Sequence, residues 1–207
     1  MSAKTEVQVS NAVPPKSLIW LWILGGSLGW LAAFALVLER IHVAGNPDAT
    51  LSCDLNIFIS CKSVMLTPQA RLLGFPNPIL GLGGFVAPIA VGVAVLAGAK
   101  FATWFWRVYL LGLAFGFLFV IWLWTQSTYA IGVLCPYCML AWLAMIPIYV
   151  HTQLWLAHED IVEAPVSWTP LVDALHKRAW LVTLGVELVI FLLIVLRFWD
   201  LWPMLWR

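Results

Sequence analysis

Residues 129–150 read YAIGVLCPYCMLAWLAMIPIYV, an apolar stretch without one charged side chain that carries Cys135 and Cys138 near its start. A membrane's hydrocarbon core is about 30 Å thick and a helix rises about 1.5 Å per residue, so roughly 20 such residues suffice to cross it. Four further stretches, nearly free of charge, qualify as well: Ser17 to Val37, Pro78 to Ala99, Phe101 to Trp124 and Ala179 to Trp199. A strand of a membrane barrel would show about ten residues in strict alternation. These runs are longer and continuously apolar, so the expected fold is an all-α integral membrane protein with five spanning helices.

Composition agrees. Of 207 residues, 63% are hydrophobic and 10% charged, against about 25% charged in soluble domains. The surroundings such a chain asks for are membrane lipid, and no nucleic-acid partner is expected of it. Four segments follow: a polar tail over 1–16, expected to be disordered and cytoplasmic; a four-helix bundle over 17–150 with an outer loop at 39–77; a cytoplasmic connector over 151–178; and a fifth helix with a short tail over 179–207. The first sixteen residues contain Pro14-Pro15 and show no cleavage-site pattern, so the first helix reads as uncleaved.

An odd number of spans puts the chain ends on opposite sides. Lys4, Lys16, Lys100, Arg107, Lys177 and Arg178 fall on the side of the first tail, and Arg40, Lys62, Arg71, Arg197 and Arg207 on the other. This is a slight positive-inside preference. All four cysteines, Cys53, Cys61, Cys135 and Cys138, share the second side, and cysteine pairs that persist as disulfides belong outside a reducing cytosol. The expected location is the cell's inner (plasma) membrane, crossed several times, with the cysteines on the extracytoplasmic face.

Cys135 and Cys138 are close enough to form a reducible bridge, and a helix N-terminus lowers a thiol's pKa. With the helix begun at Tyr129, Cys135 would lie nearly two turns in and that effect would fade. Cys53 and Cys61, in a loop, can pair with each other or swing to another thiol. Two other readings compete with thiol–disulfide exchange. Both pairs can be static staples of a non-catalytic membrane scaffold, or four thiolates can hold zinc, although the second pair lacks the usual short spacing for a metal site. A helix held by its own hydrogen bonds has little need of a staple.

Cys53-Asp54-Leu55-Asn56, Ile59-Ser60-Cys61-Lys62-Ser63-Val64, Gly74-Phe75-Pro76-Asn77-Pro78 and Cys135-Pro136-Tyr137-Cys138 occur in that order. The series resembles the vitamin K epoxide reductase family in its bacterial branch. The resemblance covers roughly Ser17 to Val150, the four-helix catalytic bundle, and the fifth span is similar to the extra helix of bacterial members. Membrane quinone reductases that generate disulfides in bacteria also use two cysteine pairs, but there the Cys-x-x-Cys precedes the loop pair.

The resemblance implies a membrane thiol-disulfide oxidoreductase. An external dithiol attacks the loop disulfide at Cys53, Cys61 is released to attack Cys135, and Cys138 is freed beside a quinone of menaquinone or ubiquinone type. Asn77 matches the family's quinone-contacting asparagine, and it can equally shape the turn before Pro78. Thr67 stands where the family often has a serine, and Phe75 is placed to cover the pocket. Trp142 replaces the tyrosine of vertebrate members, which favours a plain quinone over reduction of a quinone epoxide by the same cysteines. With only Asp200 to Arg207 after the fifth span, the electron donor is expected to be a separate thioredoxin-fold dithiol protein.

Other residues read more plainly. Trp20, Trp22, Trp30, Trp104, Trp106, Trp122, Trp124, Trp199, Trp202 and Trp206 lie mostly near span ends, as interfacial belts do. The small residues at Gly25, Gly26 and Gly29, at Gly81, Gly83 and Gly84, and at Gly112 and Gly116 suit close helix packing. His151, His158 and His176 fall in the solvated connector, and His42 in the outer loop. Glu187 is an intramembrane carboxylate to which the sequence assigns no role.

Overall fold

The computed structural model describes residues 12–162 and 165–199. Expectations for the terminal segments, including the disordered tail and the positions of Lys4, Trp202, Trp206 and Arg207, lie outside the described residues.

Among the described residues seven α-helices are formed: α1 (Lys16–Gly45), α2 (Cys61–Met65), α3 (Pro78–Leu96), α4 (Thr103–Thr125), α5 (Pro136–His158), α6 (Thr169–Lys177) and α7 (Ala179–Arg197). Five of them, all but α2 and α6, are long and apolar enough to span a membrane. The chain is a multi-pass, all-α membrane protein.

Prolines set two of the starts that matter. Pro78 and Pro136 occupy the first turns of α3 and α5, where a missing N–H costs nothing and the ring pre-sets the helical φ. The fourth span therefore does not begin at Tyr129. A π-helical turn, Gln126–Ile131, closes α4, and Gly132 at φ 72° breaks the chain out of it. Cys135 becomes the N-cap of α5 rather than an interior residue.

Two other boundaries move. The first helix continues to Gly45, so the outer loop starts later than residue 39; Val43 in its last turns is buried beside Cys53 and Cys61. At the other face α5 runs on to His158, into the stretch read as connector, because Thr152, Trp155 and Leu156 are buried there. His151 packs against Trp180, and His158 stacks on His176 and pairs with Asp173 at 2.8 Å. The three histidines tie α5, α6 and α7 together instead of sitting free in solvent.

Helix α1 is the centre of the bundle, packed along both α3 and α5, while α4 and α7 lean on α5. The approach of α1 to α3 depends on glycine. A Cβ at Gly29 would run into the Phe85 ring, so a larger residue there would have to displace that ring. Gly116 likewise lets α4 close on Met145 of α5, but a Cβ at Gly112 would meet nothing within 4 Å. Only one of that pair serves packing. Helices α3 and α4, neighbours in sequence, make almost no mutual contact, and a gap stays open between them.

The belt reading fails for three tryptophans. Trp22, Trp106 and Trp124 are buried, and Trp22 meets Trp106, Tyr109 and Trp155 edge-on or tilted. The Trp22 indole N–H donates to Thr152 Oγ1 at 2.8 Å, which satisfies a donor that burial would otherwise strand. Trp20, Trp104 and Trp199 are exposed, as belt residues are.

Candidate active site

The outer loop folds back over the start of α5 through its backbone. Ser60 N–H donates to Leu134 O at 2.9 Å and Leu134 N–H to Phe58 O at 2.8 Å. Each bond involves a residue immediately before a cysteine or close to it, so pairing these two short segments brings Cys61 against Cys135. Cys53 and Cys61 are joined as a disulfide, and Cys135 and Cys138 are free thiols. Cys135 Sγ lies 3.4 Å from Cys61 Sγ. That is a near-attack separation for a thiolate and a disulfide sulfur.

Cys61 and Cys135 are 0% and 1% exposed, and Cys53 is 4% exposed. They sit with Leu36, Val43, Leu51 and Met65 in a small apolar cluster of their own. At the surface, Ser52 Oγ donates to Glu39 and lies 3.2 Å from the Tyr137 hydroxyl, linking α1, the loop and the Cys-x-x-Cys turn.

Cys135 is made reactive by its position. The Cys138 side chain donates to its sulfur and so, with the backbone N–H groups of Cys138 and Tyr137, outweighs burial and holds the thiol below its ordinary value. The Cys138 N–H to Cys135 Sγ distance is 3.4 Å. An N-cap sulfur facing unpaired N–H groups is where a thiolate is best accommodated.

Asp54 holds the loop in shape. Its carboxylate accepts from Leu51 N–H at 3.0 Å, Ser60 Oγ–H at 2.8 Å and Lys62 N–H at 3.1 Å. Burial by itself raises its pKa, but these bonds and the Lys62 charge prevail and hold the carboxyl below its ordinary value. A folded-state pKa below the unfolded value of about 3.9 gives stability that is complete above that value and lost as pH falls through the folded one. The protection factor of the Lys62 amide, its exchange relative to the unprotected rate at the same pH, should therefore hold down to about pH 4 and fall below it. Asp54→Ala should show fast exchange already at neutral pH, by roughly ten- to a hundredfold, since hydrogen bonds to a charge are worth about 1.5–3 kcal/mol. Equal protection in the two proteins at pH 7 would contradict this role.

Beneath the cysteines opens a cavity of about 620 Å³. Cys61, Cys135 and Cys138 line one end together with Asn77 and Trp142, and Gly83, Gly84 and Ala87 of α3 face Val108, Gly112, Phe115 and Phe119 of α4 along its length. The lining residues of α4 run from Val108 to Leu123, which at about 1.5 Å per residue is roughly 22 Å.

Of the other residues singled out from sequence, Asn77 is buried; its amide donates to Gln69 O at 2.7 Å and accepts from Leu72 N–H at 3.0 Å. It thus shapes the turn while facing the cavity. Thr67 Oγ1 donates to Val64 O at 2.7 Å and borders a separate hollow of about 30 Å³ that also touches Cys138 and Trp142. Phe75 is exposed and is not among the residues lining the large cavity. Sequence reasoning passed over Asp54 as a structural clamp and Arg40, which lines the cavity and donates to Met65 O at 2.7 Å. Both were visible as charges placed within or beside the cysteine loop.

A model of the vitamin K epoxide reductase family matches residues 20–153, from α1 through most of α5. The chain belongs to that family. It is a membrane redox protein, and family membership marks it as an oxidoreductase. The matched stretch contains both cysteine pairs and the whole cavity wall, and leaves α7 outside. A comparison with curated proteins finds no match.

Proposed function

We propose that this protein oxidises a dithiol of a separate thioredoxin-fold partner and passes the electrons to a lipid quinone, supporting disulfide formation in exported proteins. The observation that carries this reading is the 3.4 Å approach of Cys61 Sγ to Cys135 Sγ at the wall of a long apolar cavity. A scaffold stapled by disulfides has no use for two sulfur pairs at exchange distance.

The chain's own steps are ordinary thiolate exchanges. The partner's thiolate attacks Cys53, breaking the loop bridge and releasing Cys61; its second thiol then closes on the first and leaves oxidised. Cys61 attacks Cys135 of an oxidised Cys135–Cys138 bridge and releases Cys138. Cys53 closes on Cys61, which frees Cys135 and restores the loop disulfide. One dithiol has been oxidised and another, Cys135 with Cys138, produced in its place, which is the arrangement of bonds described above. Because Cys53 is nearly buried, the partner reaches it when the loop lifts, and Leu55 and Ile57, exposed beside it, offer apolar contact.

The quinone supplies a two-electron, two-proton acceptor for that dithiol. The fit rests on three features: an apolar cavity deep enough for a lipid tail, the flat Trp142 side chain on its wall beside Cys138, and Asn77, whose amide nitrogen has a second hydrogen after donating to Gln69 O. Location in the inner (plasma) membrane with the cysteines on the extracytoplasmic side belongs to the same proposal, since the exchange needs an oxidising compartment.

The test is turnover in detergent with a reduced thioredoxin-fold protein and a soluble quinone, followed by quinone absorbance. Cys53→Ala should lose activity with the protein donor and regain it with a small dithiol that reaches the inner pair. If wild type reduces no quinone with any donor and both sulfur pairs stay inert, the scaffold reading stands instead.

A further inference from the structure

Among the described residues that line the large cavity, Arg40 is the single charged side chain; the remainder are apolar apart from Asn77, Tyr109, Trp142 and the cysteines. It stands on α1 one turn past Leu36, which packs with Cys61, Met65 and Cys135. This places it at the cysteine end of the cavity. Its guanidinium makes one hydrogen bond, Nη1 to Met65 O at 2.7 Å, and no carboxylate pairs with it among the described residues. The adjacent Glu39 is turned away and engaged with Ser52. A guanidinium carries five donors, so most of its capacity is unspent. A half-buried cation left without a counter-ion is costly in apolar surroundings, and it becomes favourable when negative charge appears next to it.

We infer that Arg40 is the group that holds the acceptor's ring oxygen nearest the cysteines and stabilises the negative charge that builds there as electrons arrive. The inference rests on the proposed function and adds a residue to it. In the reaction the two S–H bonds of Cys135 and Cys138 break, one S–S bond forms, two electrons pass to the acceptor, and the two thiol protons end on its two oxygens. Arg40 takes no part in these proton transfers; its contribution is charge and hydrogen bonding while the oxygen awaits a proton, the situation in which a fixed donor in a dry site counts most.

Binding decides this without turnover. Two probes are used, 1,4-naphthoquinone, which is neutral, and 2-hydroxy-1,4-naphthoquinone, which is anionic in neutral buffer and places negative charge on the ring oxygens. Their binding is read from quenching of tryptophan fluorescence, Trp142 being on the cavity wall. Arg40→Gln keeps a donor for Met65 O and removes the charge, while Arg40→Lys keeps the charge and loses the fork. Expected is a tenfold or greater weakening of the anionic probe in Arg40→Gln, restoration to within about threefold in Arg40→Lys, and a loss of no more than about threefold for the neutral probe in either, since a bond to an uncharged oxygen is worth less than one to an anion. Parallel weakening of both probes would make Arg40 a structural residue, and unchanged binding of both would remove it from the site; either result overturns the inference. Failure of the neutral probe to bind wild type would instead count against the quinone reading itself.

Discussion

Cys138→Ser is expected to stop electron delivery to the acceptor, by on the order of 10³-fold or more in kcat, and to accumulate a Cys61–Cys135 disulfide. Serine cannot close a bridge with Cys135, so the inner pair loses its two-electron chemistry. It still offers a side-chain donor to Cys135 Sγ, the first of the causes that lower that thiol's pKa, and the backbone N–H contact remains. Cys135 therefore stays a good nucleophile, 3.4 Å from Cys61 Sγ. Attack there breaks the Cys53–Cys61 bond, forms Cys61–Cys135 and releases Cys53 as a thiol, with no oxidant consumed. In wild type Cys138 can also resolve this product by closing on Cys135 and releasing Cys61; in the variant only the reverse attack of Cys53 on Cys61 removes it. Disulfide mapping by mass spectrometry after maleimide blocking should find labelled Cys53 and the crossed bridge. A protein that shows only Cys53–Cys61 at every thiol poise has no exchange between its two pairs, and the relay would be wrong.

What was legible beforehand follows from which forces write themselves into side chains. Spanning length is written in apolar runs, and the start of α3 in Pro78. The start of α5 was harder because residues 129–135 are as apolar as those that follow. Hydropathy does not mark a break within a uniformly apolar stretch, although Gly132 and Pro136 were its local signs. Burial of Trp22 and Trp106 was hidden for a related reason. In a membrane helix the lipid-facing and protein-facing sides are both apolar, so an indole at either reads alike until its N–H partner, here Thr152, is known. The four cysteines and Asn77 were found from motif order, whereas the meeting of Cys61 with Cys135 followed from the family resemblance alone and not from the residues themselves, since it is made by backbone bonds between Ser60, Phe58 and Leu134. Backbone pairing between two short irregular segments leaves no pattern of residue types behind. Thr67 and Phe75, singled out by resemblance, turn out to occupy a side hollow and an exposed turn.

The gap between α3 and α4 carries the second large effect. Gly112→Phe is expected to lower kcat/KM for a long-chain isoprenoid quinone about a hundredfold while changing that for a tailless analogue less than threefold. Gly112 lines the cavity, and a Cβ there would meet no atom within 4 Å, so the side chain starts out into the open space between the helices. The helix itself gains, since glycine in a helix interior costs about 1 kcal/mol relative to better formers. The α4 contact with α5 at Gly116, against Met145, is one turn away and is left intact. Thermal unfolding of the two proteins should therefore agree within a few degrees. The cysteine end of the cavity, with Cys138, Asn77 and Trp142, where the proposed headgroup would sit, lies toward the far end of α4 from Gly112, near Leu123 rather than Val108. A short analogue uses that end alone. A tail has to continue past Gly112 or leave between α3 and α4, and a benzyl group there obstructs it. Equal losses for both substrates would show that the groove does not receive the tail; equal activity in both would show that the tail leaves the headgroup end by another route.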